Sequence, residues 1–150
     1  MKIALGMDHA AFDYKEPIRR EIEALGHEVL DLGTFSHESV DYPKYAFAVA
    51  HAVQGGKADL GVFLCGTGIG GSIAANKVRG IRAALCHEAF TAKMSREHNN
   101  ANVLCIGARV VGVSLALEIV RTWLTTPWSE NARHANRLRM LEEVETTPSL

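Results

Sequence analysis

The sequence predicts an α/β protein: a Rossmann-like open sheet of five parallel strands, with helices on both faces and a C-terminal helix. Three observations carry that prediction. Short apolar runs of strand length alternate with stretches of helical periodicity from one end of the chain to nearly the other. Each of five such runs is followed by a helical stretch, the pattern of repeated right-handed βαβ crossovers. Glycines or polar turns punctuate the junctions, and no internal repeat or low-complexity segment breaks the alternation.

Residues 2–7 read as the first strand. Tyr14, Ile18, Ile22 and Leu25 share one helical face, so a helix is predicted over 12–25, stopped by Gly26. A second strand over 27–32 leads through a polar loop, 33–43, to a helix over 45–53 that ends at Gly55-Gly56. Residues 59–64 form the third strand, and a glycine-rich turn then opens a helix reaching about Val78. The fourth strand covers 81–86, a helix 90–98, and the fifth strand 103–106. A long apolar helix, 110–124, offers a candidate interface, and a charged helix over 133–145 follows the loop at Pro127. The tail from Thr146 to Leu150 is expected to be loose.

With 150 residues the chain fits a single domain, 1–150, large enough for a real core. A net charge of −1 gives no electrostatic reason to expect nucleic acid or an anionic membrane as partner. The apolar runs fall short of the roughly 20 residues that span a bilayer, so no membrane association is expected. The N-terminus enters an apolar strand directly, without the pattern of a signal peptide. Three cysteines at wide spacing, with no C-x-x-C, argue against a disulfide scaffold or a zinc motif and for a reducing, cytoplasmic location.

Open parallel sheets bind ligands beyond the carboxyl ends of their strands, where the strand order reverses. The residues there are Asp8-His9, Cys65 through Gly71, His87-Glu88, and Gly107 through Arg109. Gly66, Gly68 and Gly71 satisfy G-x-G-x-x-G, with Glu88 about where a ribose-binding acid would stand, so a nucleotide-binding module is a rival reading. Against it, the motif follows the third strand, and a chain this short leaves no room for a substrate domain. In either case glycines allow close approach of backbone to ligand, and the N–H groups that open a helix favour negative charge. Such a cradle suits a phosphate or the oxyanion of an enediolate equally, with the Thr67 hydroxyl inside it.

Cys65 precedes these donors immediately, where a thiol can serve as base or nucleophile; its bland alternative is a small buried core residue. Cys86 and Cys105 lack such neighbours and are assigned to packing. Asp8-His9 either meets ligand or caps the next helix. His98, followed by Asn99 and Asn100, either ends its helix favourably or acts as a near-neutral acid or base. Arg133 and Arg137, four apart, project from one helix face beside His134 and Arg139, either as a solvated face or as a phosphate site. His27, His37, His51 and His87 lack convincing context, and Trp123 and Trp128 look like core or interface anchors.

Taken together, several segments resemble one family: the ribose-5-phosphate isomerases of type B, relatives of the galactose-6-phosphate isomerase subunits. They are Gly6-Met7-Asp8-His9-Ala10, Asp41-Tyr42-Pro43, Cys65-Gly66-Thr67-Gly68-Ile69-Gly70, Ala74-Ala75-Asn76-Lys77, Ser95-Arg96-Glu97-His98-Asn99, Gly107 through Gly112, and Arg133-His134. They occur in family order across nearly the whole chain.

The resemblance implies an aldose–ketose isomerase for ribose 5-phosphate and ribulose 5-phosphate, with no metal or organic cofactor. Cys65 would move the proton between C2 and C1, and Gly66, Thr67, Gly68, Ile69 and Gly70 would hold the enediolate oxygens. His98 would assist ring opening and Asn99 would bind sugar hydroxyls. Asp8 and His9 would contact hydroxyls or the phosphate end, and Arg109, Arg133 and Arg137 the phosphate. The resemblance also implies a homodimer with shared active sites, with the C-terminal arginines and the His98-Asn99 pair supplied by the partner, and a homotetramer as the larger assembly. Ala11, Gly71 and Asn131-Ala132 depart from the family pattern around the sugar and phosphate ends. A phosphohexose, allose 6-phosphate or galactose 6-phosphate, is therefore the alternative substrate, and a non-catalytic sugar-phosphate binder the alternative activity.

Overall fold

A computed structural model describes residues 1–147. Five parallel strands form one sheet: β1 (Lys2–Met7), β2 (Glu28–Asp31), β3 (Leu60–Cys65), β4 (Ala83–Leu85) and β5 (Val103–Gly107). Their order is β2-β1-β3-β5-β4. Six α-helices accompany them: α1 (Lys15–Ala24), α2 (Tyr42–Gln54), α3 (Ile69–Ala75), α4 (Ala89–Glu97), α5 (Val113–Thr125) and α6 (Ala132–Thr146). The predicted α/β class, parallel sheet and C-terminal helix are all present. None of the helices among the described residues is long and apolar enough to cross a membrane.

Side-chain alternation along the strands divides the core into two layers. Ile3, Leu5, Met7, Val62, Leu64, Leu104 and Ile106 face α1, α4 and α5, where Ile18, Ile22, Ile119 and Trp123 are fully buried. Ala4, Phe63, Cys65, Val103 and Cys105 face α2 and α3. The distribution follows from right-handed crossovers. The steps β1→β2 and β4→β5 run one way across the sheet and place α1 and α4 on one face. The steps β2→β3 and β3→β4 run the other way and place α2 and α3 on the opposite face.

Two strand glycines let α2 lie close. A Cβ on Gly6 would come within 2.6 Å of Val49 Cγ2, and a Cβ on Gly61 within 2.6 Å of Val49 Cγ1. Val49, fully buried, thus rests in the gap the two glycines leave. Gly61→Ala is expected to destabilise by about 1–3 kcal/mol, the usual cost of overpacking, read as a lower urea midpoint with an unchanged slope.

Several boundaries differ from the predicted ones, each for a local reason. The predicted helix over 12–25 begins instead as a 3-10 helix, His9–Tyr14, capped by the Asp8 side chain on Ala10 N–H at 3.0 Å. Pro17 lacks the N–H that would bond to Asp13, so the α-helical ladder starts at Lys15. Helix α2 starts at Tyr42 rather than residue 45, because Pro43 occupies its first turn, where proline is favoured. Helix α5 starts at Val113 rather than 110, because Val110 and Val111 close a turn on the Gly107 carbonyl and Gly112 is extended, so the first helical bond runs from Ala116 N–H to the Gly112 carbonyl.

Helix α3 stops at Ala75 because Asn76 turns its amide onto the outer edge of β4. Asn76 Nδ2 donates to the Ala83 carbonyl at 2.9 Å, and Ala83 N–H donates to Asn76 Oδ1 at 2.8 Å. Of the tail expected to be loose, Thr146 closes α6 and Thr147 N–H donates to the Glu143 carbonyl; the rest lies outside the described residues. The candidate interface on α5 is overturned: Ala116, Ile119, Val120, Trp123 and Leu124 are consumed by the chain's own core. Within that segment the only exposed apolar side chains are Val110 and Val113, at its start; further exposed apolar side chains include Ile69 and Ile73 on α3, Leu85 on β4, and Met140, Leu141 and Val144 on α6.

Candidate active site

After β1 the chain turns toward one face of the sheet, and after β3 toward the other, so a crevice opens between them at the carboxyl edge. Asp8 and Cys65 stand on its two sides. Asp8 is buried, and that burial raises its carboxyl above the ordinary range, against the pull of the Ala10 N–H and of the His9 and Arg109 charges. His9 Nδ1 accepts from Val40 N–H at 3.1 Å, which orients the imidazole and ties the loop before α2 to the site.

Cys65 ends β3, pairs with Gly107 of β5, and is only 4% exposed. Its Sγ lies 3.6 Å from where a Cβ on Gly71 would sit, beneath the first turn of α3. Gly66 is overhung by Arg109, whose Cδ and Nη1 approach within 3.5 Å of its vacant Cβ position. Gly68 takes a left-handed φ of 74° and its carbonyl accepts the first helical bond, from Ser72 N–H. Ile69 N–H is held by Thr67 Oγ1 at 3.3 Å. The N–H groups of Gly70 and Gly71 precede that first helical bond and so belong to the unsatisfied end of the helix. Tyr42 covers this stretch: a Cβ on Gly70 would come within 2.5 Å of its ring.

One group of expected residues is therefore gathered in one place: Asp8, His9, Gly66, Thr67, Gly68, Ile69, Gly70 and Arg109 around Cys65. The other group is not. His98 is the C-cap of α4, and α4 runs antiparallel to the strands, so His98 and Asn99 lie at the amino edge of the sheet. Arg82, just before β4, donates from Nε to the Asn99 carbonyl there, at 3.2 Å. The two groups are separated by the length of β5, about 17 Å at ~3.3 Å per residue.

Helix α6 lies beneath the same amino edge. His134 stacks on His98 with ring centroids 4.4 Å apart, and its Nδ1 shares a 3.0 Å hydrogen bond with Ser129 Oγ. Burial, reinforced by the positive charge of His98, Arg133 and Arg137, holds the His134 pKa below the ordinary imidazole range. Arg133 and Arg137 point away from the buried His134 and Leu138 and are exposed, and among the described residues neither makes an ion pair. A half-site with histidine, asparagine and two free guanidinium groups thus stands at the edge opposite the cysteine.

Glu88 is not free for a ribose. Its carboxylate accepts from Phe90 N–H at 2.6 Å and Thr91 N–H at 2.8 Å as the N-cap of α4, and the Thr91 hydroxyl, together with these N–H groups, holds it below the usual carboxylate range. Cys86 and Cys105 are buried, and burial pushes both thiols up, as packing residues. Among the described residues no three His, Cys, Asp or Glu side chains cluster as metal ligands.

Sequence reasoning put His87 at the ligand edge without a role and left Tyr42 in a loop; the structure makes Tyr42 a wall of the cradle and His87 a neighbour of the loop that accepts from Gly107 N–H. Position alone, at the start of α2 and at the carboxyl end of β4, was the available clue to each.

Known proteins resemble this chain over nearly its whole length. A model of the Ribose/Galactose Isomerase family matches residues 3–141. The ribose-5-phosphate isomerase B of Escherichia coli is 49% identical over 144 residues, covering 96% of each chain. The solved ribose-5-phosphate isomerase B of Clostridium thermocellum superposes with a TM-score of 0.94 at 51% identity, covering 97% of this chain and 98% of that one. That of Mycoplasma genitalium, solved with bound ribulose 5-phosphate, gives 0.93 at 36% identity, covering 98% and 97%.

Proposed function

The chain belongs to the ribose/galactose isomerase family, and on that premise we propose that it interconverts ribose 5-phosphate and ribulose 5-phosphate in the cytoplasm. The observation that carries this reading is the convergence of Cys65, Thr67, Arg109 and the Asp8-His9 turn on one crevice lined by glycine backbone.

An aldose C2–H is a weak acid, so the reaction needs a base and a site for the developing oxyanion. Cys65, as thiolate, takes the C2 proton; the C–H electron pair forms the C1=C2 bond, and the carbonyl oxygen at C1 becomes the enediolate oxygen. The thiol then returns the proton to C1 while the proton on O2 passes to O1, so that C2 becomes the ketone and C1 the alcohol. The backbone N–H groups from Gly66 to Gly70 and the Thr67 hydroxyl stabilise the charge in between. Burial of Cys65 suits this role, because it keeps bulk water from protonating the intermediate.

His98, which opens the furanose ring, Asn99, which binds hydroxyls, and Arg133 and Arg137, which bind phosphate with Arg109, come from the partner subunit of a homodimer. Their place at the opposite edge supports this. A two-fold partner turned end for end presents its amino edge to this chain's carboxyl edge, and the reverse, so that two complete sites form. Ile69, Ile73 and Leu85, exposed along α3 and β4 between the two half-sites, are the apolar surface such a partner would cover.

Turnover of ribose 5-phosphate in heavy water, compared with allose 6-phosphate and galactose 6-phosphate, tests the proposal. The expected result is the highest kcat/KM for ribose 5-phosphate, with solvent deuterium entering the transferred position. Saturable binding without exchange of the C2 hydrogen would make the protein a binder, and a preference for a hexose phosphate would reassign the substrate.

A further inference from the structure

Three consecutive backbone N–H groups leave the end of β5, and each finds a different acceptor. Gly107 N–H donates to His87 Nε2 at 3.1 Å, Ala108 N–H to the Cys65 carbonyl at 2.9 Å, and Arg109 N–H to the Gly66 carbonyl at 2.9 Å. Two of the acceptors are main chain of the cysteine-glycine loop itself. The third is a side chain, half-buried, at the carboxyl end of the neighbouring strand β4.

The contact beneath this staple is close. A Cβ on Gly107 would sit 2.6 Å from both the carbonyl carbon and the oxygen of Thr67. A Cβ on Gly68 would sit 3.0 Å from Gly107 N, 2.9 Å from the Ile106 carbonyl carbon and 2.5 Å from Leu85 Cδ1. The 106–107 peptide is therefore in direct backbone contact with Thr67 and Gly68, and a tilt of that peptide displaces them. Among the described residues, His87 is the one acceptor its N–H meets.

The geometry points to His87 as a positioning residue for the isomerisation: its Nε2 fixes the Gly107 peptide, which in turn seats Thr67 and Gly68 beside Cys65. The inference rests on the function proposed above. The bond requires a neutral imidazole with its proton on Nδ1, since only an unprotonated Nε2 accepts. His87 meets the backbone behind the cradle and acts through it. A shift of even a fraction of an ångström matters there, because donors to an oxyanion work only at hydrogen-bond distance.

His87→Gln and His87→Asn separate this role from general packing. The Gln amide oxygen reaches about as far as Nε2, whereas that of Asn reaches only as far as Nδ1; both side chains are polar and small enough to fold alike. The Asn variant is expected to lose about tenfold in kcat with little change in KM, and the Gln variant to stay within about twofold of wild type. Amide hydrogen exchange over 66–70 and 107–109 should quicken in the Asn variant and not in the Gln variant. A Gln variant as slow as the Asn one, or an Asn variant with wild-type kcat and exchange, overturns the proposal. A wild-type protein that does not turn over ribose 5-phosphate would instead sink the isomerase reading, and the exchange data would still decide whether His87 holds the loop.

Discussion

Cys65→Ala is expected to abolish turnover of ribose 5-phosphate, lowering kcat by about a thousandfold or more, within the range lost when a positioned general base is removed. The argument is one of place. Cys65 is the last residue of β3, its carbonyl is tied to Ala108 and its side chain is held beneath the first turn of α3. The substitution removes one sulfur from a nearly closed site, so the fold and the affinity for substrate should change little. The loss should fall on kcat, and exchange of the C2 hydrogen with solvent should vanish with it. Cys65→Ser is the stricter control, because a hydroxyl keeps the shape while being far harder to ionise. Retention of most turnover in Cys65→Ala would assign the base elsewhere, whereas Cys86→Ala and Cys105→Ala should cost stability alone.

The second large effect comes from mixing inactive proteins. Cys65→Ala and His98→Ala are each expected to be nearly inactive, yet co-refolded in equal amounts they should recover roughly a quarter of wild-type activity. The fraction follows from symmetry: half of the dimers are hybrids, and each hybrid holds one site with both residues intact and one with neither. A site built within a single chain would recover nothing. The same logic applies to Arg137→Ala paired with Cys65→Ala, where recovery should appear chiefly as a restored KM for the phosphorylated sugar. Failure of both pairs, with dimers formed, would overturn the shared site.

The alternation of apolar runs and helical periods revealed the sheet, its parallel sense and the edge at which to look. It did so because period-2 and period-3.6 burial is imposed residue by residue, as in Ile3, Leu5 and Met7 against Ala4 and Gly6. The strand order was not legible. Nothing in β4 or β5 alone says that β5 inserts between β3 and β4, since both are short and apolar. The bonds from His9 to Val40 and from His87 to Gly107 leave no trace either, because a side chain meeting a distant backbone N–H has no period and no motif. Proline misled in one place: Pro43 reads as a loop until its helix is seen to start there. The glycine motif was legible as a cradle and ambiguous as to its cargo, and the N-cap role of Glu88 is what weakens the nucleotide reading.

The amide of Asn76 on Ala83 bears on how the open border of the sheet is protected. A terminal strand normally offers its free backbone to any passing strand, and sheets can then grow from chain to chain without limit. Here the outward N–H and carbonyl of Ala83, the opening residue of the three-residue edge strand β4, are both taken by the Asn76 side chain. Such a border cannot be extended by another strand at that point. A strand added there would first have to displace the Asn76 amide, so the border of the sheet is guarded where β4 opens.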